Sequence, residues 1–189
     1  MEYQEAVDTI LQFTGETPVN APNVHPNQGV IERYLNNSSS REQLLEWWFN
    51  LDHDVYLLKD VETTQVAIPS TIKKIVFDNP DYVDRGTFVY DKVNNTYLID
   101  EDVLAIETVK VLSWTELPEL MQQWIMFQAA KYYIISTIGD QGVTKELKEE
   151  ASRTYIMLKS QDLKSRNINI FNTPQIARNR MGRQPYIRR

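Results

Sequence analysis

The chain has 189 residues, a formal net charge of −6, 42% hydrophobic and 24% charged residues, the balance of a folded domain long enough to bury its own core. It has no cysteine and only two histidines, His25 and His53; this excludes disulfides, thiolate metal sites, cysteine nucleophiles and a histidine-rich metal centre within one chain. No apolar run approaches a membrane span, and the start Met1-Glu2-Tyr3-Gln4-Glu5 lacks the basic and apolar regions expected of a signal peptide.

Tyr3, Val7, Ile10 and Leu11 share one helical face, and Gly15 is positioned to stop that helix. The following loop, Glu16 to Asn27, holds three prolines and no periodicity. A second helical pattern runs from about Asn27 to Phe49, with Ile31, Tyr34, Leu35, Leu45, Trp48 and Phe49 on one stripe. Its middle, Asn36-Asn37-Ser38-Ser39-Ser40, costs about 2–3 kcal/mol against alanine if helical, and Ser39-x-x-Glu42 can cap a fresh helix. One bent helix and two shorter ones both fit the pattern.

Short β-type runs follow: 55–58, 65–68, 72–77, 87–90, 96–99 and 105–112. Asp60, Pro69, Asn79-Pro80, Arg85-Gly86, Asn94-Asn95 and Asp100-Glu101-Asp102 separate them. Phe88-Val89-Tyr90 and Tyr97-Leu98-Ile99 read as the two sides of a hairpin. No helix lies between the runs, so the sheet is expected to be small and antiparallel.

Helix then returns. Thr115 can cap a helix with Pro118 in its first turn. Leu117, Leu120, Met121, Trp124, Ile125, Phe127, Tyr132, Ile135 and Ile138 make it apolar on nearly every side, the mark of a bundle's central helix, and Gly139 ends it. A last helix from about Thr144 to Leu163 turns Leu147, Ala151, Tyr155 and Leu158 inward. The expected fold is α+β: an antiparallel helix bundle (residues 1–52 and 114–163) with an inserted small antiparallel β domain (53–113) and an extended C-terminal arm (164–189).

Charge divides the chain at that arm. Asp162 is the last acidic residue. Beyond it stand seven basic side chains, Lys164, Arg166, Arg178, Arg180, Arg183, Arg188 and Arg189, and no carboxylate. The preceding body holds the other 13 of the 20 basic residues and all 26 acidic ones, a net of −13. The body should repel nucleic acid and the arm should seek an anionic partner. The arm's apolar residues are spaced too irregularly for one helix, so it reads as an extended segment that orders on a partner.

Catalytic signatures are scarce. The six glycines form no phosphate loop or dinucleotide fingerprint. Asp52-His53-Asp54 reads as a polar turn before a strand. Asp78-Asn79-Pro80-Asp81 with Asp84 lacks the glycine and glutamate of an EF-hand. Asp100-Glu101-Asp102 would serve a glycosidase only with two carboxylates about 5–9 Å apart in a cleft. Trp48, Trp114 and Trp124 fall in or beside bundle helices, where burial explains them. No enzyme, catalytic residue, metal or cofactor is expected.

Four stretches in order resemble the tail tubular protein A family, the head-to-tail adaptor or gatekeeper of short-tailed bacteriophages. They are Val7-Asp8-Thr9-Ile10-Leu11 with Gly15-Glu16-Thr17-Pro18-Val19; a long polar helix closing in Trp48-Phe49-Asn50; Arg85-Gly86-Thr87-Phe88-Val89-Tyr90-Asp91; and Leu117-Pro118-Glu119 leading to Trp124-Ile125 and Ala129-Ala130-Lys131. The resemblance covers about residues 5 to 160. The arm matches only as a C-terminal extension.

The resemblance implies a virion structural protein, assembled in the host cytoplasm and residing in the tail. It implies a dodecameric ring of the chain with itself, below the portal protein and above a nozzle of the tail tubular protein B type, with tail fibres as further partners. Genomic DNA would pass through the ring without specific binding. The arm would wrap the portal, with Phe171, Arg178, Arg180, Arg183 and Tyr186 as its anchors. The alternative from the charge pattern is a nucleic-acid-binding or DNA-packaging accessory protein that grips DNA with the arm. Seven phosphate contacts would then give a salt slope of about −6.

Overall fold

The computed structural model describes residues 1–18, 25–137, 139 and 141–166. Helix α1, Tyr3–Phe13, buries Ala6, Val7, Ile10 and Leu11. The Glu2 N–H donates to Glu5 Oε2 at 3.1 Å, satisfying one donor that the helix start leaves open. At the other end the N–H groups of Gly15 and Glu16 donate to the carbonyls of Gln12 and Leu11, both at 3.0 Å. Gly15 has φ +76°, the left-handed cap that glycine adopts without a Cβ clash.

Helix α2 is a single helix, Gln28–Gln43, and the Asn-Asn-Ser-Ser-Ser stretch is helical throughout. Two of its side chains accept hydrogen bonds. The Tyr3 hydroxyl donates to Asn36 Oδ1 at 3.2 Å, Gln43 Nε2 donates to Ser39 Oγ at 2.9 Å, and Ser38 is buried. Packing against α3, including an edge-to-face pair of Tyr34 and Tyr133 at 6.2 Å, overrides weak local propensity. The predicted stripe fails beyond Gln43. Glu46 takes φ +57° and breaks the helical path, so Trp48-Phe49-Asn50 lies in a turn after the helix. Leu45 is 50% exposed while Trp47, absent from the predicted stripe, is fully buried.

The helix expected from Thr115 is also built differently. A 3-10 turn, Trp114–Glu116, comes first, closed by Ser113, whose N–H and Oγ donate to Glu116 Oε2 at 2.9 and 2.7 Å. Leu117 is extended (ψ 139°), as the residue before a proline prefers. Helix α3, Glu119–Thr137, starts only after Pro118. It buries Met121, Ile125, Ala129, Ala130, Tyr133 and Ile134 between the other helices. Ile135, expected in the core, is 53% exposed while Ile134 beside it is fully buried, so it lies on the helix face turned away from the core; Ile138 lies outside the described residues. The Gly139 N–H donates to the Ile134 carbonyl at 2.9 Å. Helix α4, Gln141–Ser165, turns Leu147, Ala151 and Leu158 inward. Tyr155 packs against Trp124 at 4.9 Å and Trp47 at 6.1 Å.

The strands are β1 Leu51–Leu57, β2 Ile72–Phe77, β3 Tyr82–Asp84, β4 Val89–Asp91 and β5 Val103–Lys110. β5 is the centre of an antiparallel sheet of order β1-β5-β2. Its register with β1 runs from Leu51↔Val109 to Leu57↔Val103. β3 and β4 pair separately. The predicted hairpin is one bridge long, Asp91↔Thr96. The Asp91 carboxylate accepts from the N–H groups of Val93 and Asn94 and tightens the turn. Beyond it the chain leaves β4; the Ile99 N–H donates to the Thr64 carbonyl at 2.8 Å, and Leu98 bridges Gln65. Leu57, Val66, Ile68, Phe77, Val89, Ile99, Val103 and Ala105 form a second core, distinct from that of the bundle.

The two cores are joined by a polar clamp. The chain enters the sheet after Asn50 and returns at Leu112. Asn50 is buried. Its Nδ2 donates to the carbonyls of Gln43 (2.6 Å) and Lys110 (3.0 Å), and its Oδ1 accepts the Trp47 N–H at 2.9 Å. Gln43, fully buried, donates to the Leu112 carbonyl at 3.2 Å and accepts the Leu112 N–H at 2.7 Å. Asn50→Ala leaves three backbone groups, two of them buried, without this partner and should cost about 2–3 kcal/mol in urea unfolding. Lys148→Ala on the exposed side of α4 should stay within about 0.5 kcal/mol; an Asn50→Ala cost no larger than that would show that the clamp carries little.

Candidate assembly interface

The five residues proposed as arm anchors, Phe171, Arg178, Arg180, Arg183 and Tyr186, lie outside the described residues. What the structure defines is the point from which the arm leaves. Helix α4 continues through Lys164 and Ser165, and Arg166 follows in a turn. The Asp162 carboxylate, 5% exposed, accepts the Trp48 N–H at 3.1 Å and Arg166 Nε at 2.8 Å. Arg166 Nη2 also donates to the Glu46 carbonyl. Lys159 Nζ lies 4.1 Å over the Trp47 ring and 3.9 Å from Asp162. The end of α4 is thereby fastened to the turn that leads into β1.

Beside that attachment lies an open cleft of about 420 Å³, lined by Trp48, Leu51, His53, Glu107, Ser165 and Arg166. Its lining comes from the turn after α2, two strands and the last turn of α4. No local sequence pattern could have assembled it. The sequence signal that was available is the position of Asn50 directly after Trp47-Trp48-Phe49, a buried-type run ending in a side chain that can bond three backbone groups.

The other residues weighed for chemistry are placed structurally. Asp52-His53-Asp54 lies within β1 and is not a turn before it. Asp52 pairs with Lys110 Nζ at 2.6 Å, and His53 stands opposite Glu107 in the ladder. His25 belongs to the helical part, 3.3 Å from Glu16, with its Nδ1 accepting the Asn27 N–H. Asn79 Oδ1 accepts the Asp81 N–H, and Asp84 Oδ1 the Gly86 N–H at 2.6 Å. Asp102 Oδ1 accepts the Lys59 N–H at 2.8 Å, Glu101 accepts the Tyr82 hydroxyl at 2.9 Å, and the Asp100 carbonyl accepts Lys59 Nζ. Burial, reinforced by Glu101, pushes the Tyr82 hydroxyl above its usual range. The backbone and side chain of Asn94 hold the Asp91 carboxyl below its usual range, and the Thr63 backbone N–H does the same first for Asp60. These carboxylates are turn acceptors. Among the described residues no group of three or more His, Asp or Glu side chains could hold a metal ion, and no helix is long and apolar enough to cross a membrane.

Arg85 to Asp91 also has a structural logic. The Arg85 guanidinium stacks 3.5 Å from the Tyr90 ring centre, and Gly86 takes φ +86° in the turn between them.

Apolar side chains face solvent on α4 and on the sheet domain, among other places. On α4 these are Ile156, Met157 and Leu163, with Ile156 and Leu163 seven residues apart on one face. On the sheet domain they are Leu58, Val61 and Leu98; Val61 is 89% exposed in the turn after β1. Exposed apolar groups gathered in this way mark surfaces for other macromolecules.

Asp162→Ala should cost about 2 kcal/mol, because the half-buried Trp48 N–H and the Arg166 guanidinium both lose the Asp162 acceptor. Amide exchange at Trp48 and in the last turn of α4 should accelerate while that of α1 is unchanged. Uniform acceleration across the bundle would mean that Asp162 supports the core in general and not this attachment.

No curated protein sequence matches the chain. A family model described as "Tail tubular protein" (Tube) matches residues 4–168, spanning both cores and the cleft.

Proposed function

The chain belongs to the tail tubular protein family, a structural family of the phage virion tail, and on that premise we propose that it is the head-to-tail adaptor, a ring joining the portal to the tail nozzle and forming part of the DNA ejection channel. The observation that carries this reading is the pair of unlike apolar surfaces, one on α4 and one on the sheet domain. A ring built from one kind of chain needs two different patches that meet head to tail and close. Symmetric pairing needs only one. The ring number, twelve, follows from the resemblance described above.

Charge supports the same reading. A body of net −13 repeated around a channel gives a wall of one sign where its acidic side chains face the lumen. DNA is repelled by such a wall and slides past it. The arm carries seven basic side chains and no carboxylate, and its point of origin at Arg166 is fastened beside β1. Portal docking by the arm, with Phe171, Arg178, Arg180, Arg183 and Tyr186 as anchors, and nozzle or fibre contacts by the sheet domain complete the proposal.

Light-scattering mass of the full chain mixed with the portal of its source phage tests it. A ring added to the portal is expected with the full chain and not after deletion of residues 167–189, a cut that spares the Arg166 attachment. Absence of any association would overturn the adaptor role. A gel-shift series separates the DNA-binding alternative. DNA should stay unbound at physiological salt, whereas retention falling with a log–log slope of about −6 would favour a packaging accessory protein.

A further inference from the structure

The three-stranded sheet has two edges. The β2 edge is flanked by β3. The β1 edge is open: among the described residues, Leu51–Leu57 makes no backbone hydrogen bond beyond its ladder with β5. An unpaired edge is a template for another strand, and proteins usually cover or blunt it. The charge and the left-handed backbone of Asp54 (φ +54°) blunt the middle of β1. The part nearest the bundle, Leu51 to His53, is left open beside the 420 Å³ cleft.

The chain that follows Arg166 is Asn167-Ile168-Asn169-Ile170-Phe171. Its first four residues alternate polar and apolar, the period of a strand with one buried side. Its origin is fixed, because Ser165 and Arg166 line the same cleft as Leu51 and His53. Five extended residues reach about 17 Å, more than enough to run beside Leu51–His53. Charge is compatible: no carboxylate follows Asp162, so nothing in the segment repels Asp52, Asp54 or Glu107.

We propose that Asn167–Phe171 adds to the sheet of its own chain as a further edge strand, parallel to β1, with Ile168 and Ile170 seated over the cleft. Main-chain hydrogen bonds to the free edge would give the affinity, and the apolar cleft wall of Trp48 and Leu51 would select the two isoleucines. Residues from Asn172 onward, with all five remaining arginines, then start from a defined place on the sheet. This inference does not depend on which partner those arginines meet.

The absence of native cysteine gives a clean test, since any disulfide formed is the engineered one. In the full chain, His53→Cys with Ile170→Cys should oxidise to an intrachain disulfide that migrates as a monomer on a non-reducing gel. Val93→Cys with Ile170→Cys, which places one thiol at the distal turn of the sheet domain, should not. Interchain dimers alone would overturn the proposal in favour of exchange between copies. Equal yields from both pairs, or no disulfide from either, would overturn it outright. Amide exchange of β1 provides a second measurement on the unaltered sheet. Ile168→Asp with Ile170→Asp should speed exchange at the β1 amides not bonded to β5 by about tenfold; unchanged rates would overturn the proposal.

Discussion

Two amide side chains hold the molecule together as one unit. The bundle core and the sheet core are separate apolar clusters, and two chain crossings join them, one after Asn50 and one before Leu112. At these crossings Gln43 and Asn50 substitute for backbone partners. Gln43 both donates to and accepts from Leu112, and Asn50 bonds Gln43, Trp47 and Lys110. In a buried site each such bond counts for more than on the surface, because the alternative is an unsatisfied polar group. Hydrophobic burial stabilises each half but has no directional preference. The relative placement of the halves therefore rests on hydrogen-bond geometry at this clamp.

The bundle was legible in the sequence because its signals are periodic. The spacing of Val7, Ile10 and Leu11, and of Leu147, Ala151 and Leu158, encodes one buried face directly. Gly15 and Gly139 marked two chain stops because the left-handed backbone favours glycine. Where the period ended, so did legibility. The expected stripe continues past Gln43 through Leu45, Trp48 and Phe49, yet Glu46 leaves the helical region, and Trp47 is buried while Leu45 is exposed. The Asn-Ser run is ambiguous for the opposite reason: its local cost is offset by Tyr3 and by packing against α3, distant contacts that propensity does not contain. The strands were visible as β-rich runs, but their partners were not. β1 pairs with β5 across the whole insertion, whereas sequence proximity suggested that the run before Asp91 would pair with the run after Thr96.

The site was less legible than the fold. Its lining draws on residues 48–53, 107 and 165–166, and Asp162 reveals its role only when Trp48 and Arg166 are placed around it. In isolation Asp162 is simply the last acid before a basic tail. The carboxylate clusters that attract attention, around Asp78 and Asp100, are conspicuous in sequence because tight turns gather aspartate and asparagine. Asp84, Glu101 and Asp102 accept hydrogen bonds from the Gly86 N–H, the Tyr82 hydroxyl and the Lys59 N–H. The chain's membership of a family of virion tail components directs attention to its surfaces.

The fastening of Arg166 has a mechanical meaning. A tension applied to the arm meets Asp162 and the Glu46 carbonyl first, one residue beyond the end of α4. The load then passes sideways into the turn carrying Trp48 and from there to the clamp between the cores, instead of unzipping α4 one hydrogen bond at a time from its end. Bonds loaded together in shear resist rupture better than bonds peeled in sequence, and forced opening is governed by the unfolding rate and not by equilibrium stability. A pull that arrives at the arm is thereby shared by both halves of the protein.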